Sequence, residues 1–185
     1  FKNINAQHEM SYDDSRNEGT GKMNDELRSV HQSCPATKFI LSGFSQGAVI
    51  AGDVADEIGG GQGVVPAESI AGVALIADGR RQNGVGQNPG RKVGGVGAEI
   101  ALQPVSGLVQ PIVPGASMRG ARQNGFGSLA DRTFQICAPN DSVCDAPPNV
   151  TNALERAQGL IAANGVHAQY ASNSGVIAVS YTHLR

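Results

Sequence analysis

The sequence predicts an α/β domain of three layers built around a mainly parallel central sheet. Three observations predict it. Short apolar runs rich in β-branched residues have strand length, stretches with helical periodicity lie between them, and glycine or proline marks the stops. The 185 residues read as one domain spanning 1–185, long enough to bury one substantial core. Apolar residues make up 40% and charged residues 16%, the balance of a packed protein rather than a disordered one. With five Phe, three Tyr and no Trp, the core is expected to be built from Val, Ile, Leu and Ala.

Taken in order, residues 1–20 are polar and read as at most one short strand and a loop. Lys22 to Gln32 has helical character, which Pro35 breaks. Lys38-Phe39-Ile40-Leu41 reads as a short buried strand. Ser45 to Ile58 carries Ala48, Val49, Ile50, Ala51, Val54 and Ile58, a helical pattern that ends at Gly59-Gly60-Gly61. Ile70 to Ala77 is a second buried strand. Residues 79–128 are rich in Gly, Pro, Arg and Asn and are expected to form a surface excursion flanking a cleft, being too long for an ordinary connection. Thr133 to Cys137 reads as a third strand, and Asn149 to Asn164 as an amphipathic helix stopped by Gly165. No internal repeat and no second domain is visible.

The formal charge of −2 gives no electrostatic reason to expect nucleic acid as a partner. No stretch reaches the roughly 18 unbroken apolar residues of a membrane-spanning helix. Cys137 and Cys144 bracket a turn-rich loop that a disulfide can close, which favours an oxidising compartment and places the protein outside the cell or in its envelope. Cys34 is left over. The Cys-x6-Cys spacing fits no common zinc pattern, and too few His or Cys lie nearby to complete a site, so no metal is expected. The chain starts at Phe1 with neither Met nor a signal-peptide pattern, and both ends read as incomplete.

The chemistry centres on Gly43-Phe44-Ser45-Gln46-Gly47. A serine hydroxyl is a poor nucleophile until a base takes its proton and the backbone exposes it. A sharp strand-to-helix turn provides the exposure, with glycines two before and two after the serine letting the chain pack through the corner. Among 25 glycines such a motif arises by chance about a quarter of the time. Its flanks give it weight, because an apolar strand ends just before Gly43 and a helical pattern starts just after Ser45. On an α/β-hydrolase fold the acid and then the histidine follow the serine in the chain. Of the histidines, His8 and His31 precede it, His167 follows the last helical pattern, and His183 lies almost at the C-terminus, so His167 is preferred. Asp141, on the loop after the third strand and inside the Cys137–Cys144 ring, is the leading acid. Asp145 and Asp78 remain as rivals, Asp78 reading otherwise as a strand-end cap or an ion-pair partner of Arg80 or Arg81.

Cys34-Pro35 followed by Leu41-Ser42-Gly43-Phe44-Ser45-Gln46-Gly47-Ala48 resembles the cutinase family. Ile136-Cys137-Ala138-Pro139-Asn140-Asp141-Ser142-Val143-Cys144 is similar to that family's disulfide loop with its triad aspartate. His167-Ala168-Gln169-Tyr170 is similar to the segment around the base in actinobacterial members. The resemblance implies an α/β-hydrolase without a large lid, with Ser45 as nucleophile, Asp141 as orienting acid and His167 as base. It also implies no cofactor and carboxylic ester substrates, from short acyl esters to lipids or polyesters, with transient contact with a lipid surface. The 26-residue interval from Asp141 to His167 is longer than in the fungal members and closer to the actinobacterial type, and Phe44 stands where Tyr is usual.

The backbone N–H of Gln46 is the expected first donor of the oxyanion hole. In the family an upstream strand carries the second donor, and an upstream cysteine pairs with the counterpart of Cys34. Residues 1–20 contain neither feature, so the N-terminal strand region is expected to be missing. Residues 179–185 match nothing in the family and read as a non-native tail. The expected activity is that of a secreted serine esterase. The alternatives are an acyltransferase with the same triad and a lipid-binding envelope protein that keeps the hydrolase fold without a working oxyanion hole.

Overall fold

A computed structural model describes residues 10–112, 114–148 and 165–171. Strands β1 (Phe39–Phe44), β2 (Ile70–Ile76) and β3 (Thr133–Ile136) form a parallel sheet in the order β1-β2-β3. Leu41 pairs with Val73, Gly43 with Leu75, and Leu75 in turn with Gln135. Parallel neighbours need a crossover, and the helix α2 (Gln46–Gly59) provides it between β1 and β2. All three strands therefore present their carboxyl ends at one edge, where loops of open α/β sheets gather functional groups.

The three predicted strands and the helix after the serine are all present, with ends shifted by at most three residues. The main extension is β1, which runs on through Gly43 and Phe44. Ala48, Ala51, Val54, Ala55 and Ile58 of α2 are buried in one cluster with Leu41, Ile70, Val73 and Leu75 of the sheet. Phe126, which caps the 3-10 turn Gly127–Arg132, and Leu129 within that turn add to this core. It is largely aliphatic, as the composition anticipates.

Two expectations are corrected. The helix foreseen at Lys22 to Gln32 is twice as long: α1 runs Tyr12–Ser33, and residues 12–20 are helix rather than strand and loop. Ser11 caps it, its Oγ accepting from the Asp14 N–H at 3.1 Å, with Asp13 and Asp14 in the positive first turn. The helix continues through Gly19 because α2 packs there, and a Cβ at that position would come within 2.6 Å of Ile50 Cδ1.

The second correction concerns residues 79–128, which are not a surface excursion. Short helices α3 (Ala98–Leu102) and α4 (Ser106–Val109) carry Leu102 and Val109 into a buried cluster. Arg80, Arg81, Glu99 and Arg122 are buried as well. Burying so many charges is tolerable because Arg80, Glu99 and Arg122 are ion-paired and Arg81 donates to the Cys144 and Gly95 carbonyls. Arg122 bridges Asp53 and Asp78, Arg80 joins Asp53, and Arg16 of α1 meets Glu99. The helix read over Asn149 to Asn164 and the tail 179–185 lie outside the described residues.

Candidate active site

Ser45 sits in the turn between β1 and α2 with φ 55° and ψ −120°, a left-handed conformation that costs a non-glycine residue energy. Its surroundings impose that conformation. The Ser45 N–H donates to Ile76 O at 2.9 Å, carrying the ladder past the end of β1, and the Ser45 carbonyl accepts from Ala48 and Val49 of the first turn of α2. Gly43 makes the corner passable, since a Cβ there would collide with the carbonyl of Gly47. Gly47 is different: a Cβ on it would meet nothing within 4 Å among the described residues.

Gln46 opens α2, in the turn whose N–H groups have no carbonyl partner within the helix. Its side chain is fixed from α1, where Ser15 Oγ donates to Gln46 Oε1 at 3.0 Å and Gln46 Nε2 donates to the Tyr12 carbonyl at 2.9 Å.

Two strands away, the loop after β3 carries Asp141. The disulfide Cys137–Cys144 closes this loop, and the Asp145 N–H donates to Asp141 O at 2.7 Å. The Asp141 side chain is fully buried. Burial alone pushes its carboxyl pKa up. Hydrogen bonds from His167, from the Tyr170 hydroxyl and from the Val143 N–H outweigh that, and the net result is a value below the ordinary carboxyl range.

The short helix α5 (Gly165–Ala168) brings the imidazole between the two. His167 Nε2 lies 3.0 Å from Ser45 Oγ, and His167 Nδ1 lies 3.0 and 3.1 Å from the two Asp141 oxygens. The Phe44 ring stacks on the imidazole at 5.0 Å between centroids. Serine, histidine and aspartate thus form one line at the carboxyl edge of the sheet, an arrangement that can withdraw the serine proton and hold the resulting imidazolium.

The rival acids are engaged elsewhere. Asp78 is gripped by Arg122 through both oxygens at 2.6 and 3.1 Å, so its ion pair is with Arg122 rather than with Arg80 or Arg81. Asp145 accepts from the Gly95 and Asn140 N–H groups. His31 lies in the last turn of α1, while His8 and His183 fall outside the described residues. Cys34, which caps α1, is an exposed free thiol. Sequence reasoning did not single out Tyr170 as a partner of the acid. Its place three residues after the preferred histidine was the available signal.

The Cutinase family model matches residues 2–183. The chain belongs to the cutinase family. Over 176 residues, or 95% of its length, this cutinase-family chain is 68% identical to a Corynebacterium glutamicum protein named Carboxylesterase Culp6 homolog, of which the match covers 57%. It is 28% identical over 137 residues, 73% of its length, to a Mycobacterium tuberculosis protein named Probable carboxylesterase Culp7, of which the match covers 62%. The chain therefore spans less than two thirds of each of these relatives. Among solved structures, the catalytic core domain of acetyl xylan esterase from Trichoderma reesei superposes with a TM-score of 0.55 at 19% identity, covering 91% of this chain and 77% of that one. That likeness shows the fold, a parallel-sheet α/β-hydrolase.

Proposed function

We propose that this chain is the catalytic part of a serine carboxylesterase, exported to the cell envelope or beyond, that cleaves carboxylic esters through an acyl-enzyme. The observation that carries the proposal is the unbroken hydrogen-bonded line from Ser45 Oγ through His167 to Asp141. The carboxylesterase names of both relatives support it, and the disulfide supports the exported location. Short acyl esters, lipids and polyesters are the substrate classes proposed. A transient lipid-surface contact is proposed for the longer ones.

In the first step His167 Nε2 takes the proton of Ser45 Oγ as the oxygen attacks the ester carbonyl. The Gln46 N–H donates to the oxyanion of the tetrahedral intermediate. Asp141 holds the imidazole with Nδ1–H toward itself and balances the charge of the imidazolium. His167 then gives the proton to the leaving alcohol, and the Ser45 acyl ester remains. Water, deprotonated by His167, repeats the sequence and releases the acid.

Ser45→Ala should fold normally, fail to react with a fluorophosphonate, and lose at least about 10⁴ of its kcat on p-nitrophenyl butyrate. Turnover of that ester equal to the parent's by the alanine variant overturns the proposal.

A further inference from the structure

Tyr170 is a buried side chain beside the triad that the two-step mechanism leaves without a role. It lies three residues beyond His167, in the 3-10 turn Gln169–Ala171 that follows α5. Its hydroxyl accepts from the Ala138 N–H at 2.8 Å and donates to Asp141 Oδ2 at 2.7 Å. The same oxygen lies 3.5 Å from Cys144 Sγ, in the disulfide that closes the acid loop. Its ring meets Phe44 at 5.5 Å and the edge of the His167 imidazole at 6.1 Å.

We propose that Tyr170 is a positioning residue for ester cleavage, fastening the segment that carries the base to the loop that carries the acid and moderating the charge of Asp141. The proposal rests on the triad assignment above.

Side chains three apart on a helical turn point to one side, so His167 and Tyr170 reach the same carboxylate together. Asp141 is then held at both oxygens, with the Val143 N–H on Oδ1 at 2.9 Å, Tyr170 on Oδ2 and the imidazole across both. A carboxylate pinned at each oxygen cannot rotate away from the imidazole. Burial first, and then the adjacent carboxylate, raise the Tyr170 phenol above its usual range, so the hydroxyl remains a donor across the working pH. A donor into Oδ2 also draws charge from the carboxylate and reduces its pull on the imidazolium. Among the described residues, the charged groups near this loop are Arg81, whose Nε donates to the Cys144 carbonyl, and Asp145, which accepts from the Asn140 N–H. None of them changes in the test.

Tyr170→Phe keeps the ring contacts and removes only the hydroxyl. Its kcat on p-nitrophenyl butyrate should fall about tenfold with KM within about twofold. The acidic limb of its kcat/KM profile, which reports protonation of the base, should move up by about half a pH unit. Replacing Tyr170 with 3-fluorotyrosine, a stronger donor of the same shape, should move that limb down. A purely structural role would not order the limb by donor strength. Parent-like kcat and an unmoved limb in Tyr170→Phe, with Ser45 still labelled by a fluorophosphonate, overturn the positioning role and leave the triad standing. Failure of the parent itself to label is the separate result that overturns the triad. Should Tyr170→Phe not fold, the fluorotyrosine protein decides, and an unmoved limb there overturns the proposal.

Discussion

Arg122 is the residue whose loss the structure prices most clearly. Its side chain is 1% exposed and ends among four acceptor groups, one of them the Arg80 carbonyl at 3.4 Å from Nη1. Nη1 and Nη2 grip Asp78 at 2.6 and 3.1 Å, Nε reaches Asp53 at 2.9 Å, and Nη2 also donates to the Val49 carbonyl at 3.2 Å. Burial by itself lowers the guanidinium pKa, but Asp78 and Asp53 reverse that and leave it raised, so the group stays charged. Arg122→Met fills much of the volume while leaving Asp78 buried and without its cation. Breaking a buried pair in this way costs about 3–5 kcal/mol. At about 2–4 °C per kcal/mol for a chain of this size, the melting temperature should fall by on the order of 10 °C. Thermal unfolding at pH 7 followed by circular dichroism reads the change. Adding Asp78→Asn to Arg122→Met should recover part of the loss, because it removes the stranded charge and keeps an acceptor for the Arg80 N–H. The reasoning is refuted by a single variant melting within about 2 °C of the parent, or by a double variant less stable than the single one.

Further outcomes concern the elbow and the acid. Gly43→Ala forces a Cβ into the Gly47 carbonyl and should cost about 1–3 kcal/mol by urea unfolding, with slower fluorophosphonate labelling of Ser45. Gly47→Ala, inside the first turn of α2 with no described residue within 4 Å of its Cβ, should instead be neutral or stabilising by up to about 1 kcal/mol in the same assay. For Asp141, against the upward push of burial, the hydrogen bonds from His167, Tyr170 and Val143 hold the folded pKa below the ordinary carboxyl value, so its ionised form adds stability above that ordinary value. The contribution fades as pH falls through the lower folded value. The urea-midpoint gap between the parent and Asp141→Asn should therefore be full at about pH 5 and narrow progressively as pH falls below the ordinary carboxyl range. A gap constant over that range contradicts the sign.

The site was legible because its signals are local. Gly43 to Gly47 encode their own corner, and the strand before and helix after carry apolar periodicity that reports their types. The acid loop announces itself through its cysteines. The rest was hidden because periodicity counts apolar side chains and much of this interior is charged. Arg16 is fully buried, so the packed face of α1 looks polar in sequence; only Ser11 and Asp14 signal where that helix starts. Residues 79–128 read as loose for the same reason, since Arg80, Arg81, Glu99 and Arg122 are among their buried anchors. Which acid partners which base is set by pairings across 27 to 83 positions of chain, beyond the reach of a local pattern.

The hidden part bears on the legible part. A serine with positive φ stores on the order of 1–3 kcal/mol and persists only where its surroundings leave it no alternative. Three restraints act on Ser45 directly: the Ile76 carbonyl, the first turn of α2 and the close pass of Gly43 over Gly47. They hold only if α2 keeps its place over β1 and β2. Asp53 lies in α2, Asp78 follows β2, and Arg122 joins both carboxylates and the Val49 carbonyl. Glycine at 52 gives that guanidinium its passage, since a Cβ there would collide with it. The charged segment that looks like loose connection is therefore what clamps the elbow helix to the sheet, and the geometry of Ser45, the proposed nucleophile, depends on ion pairs outside the proposed triad.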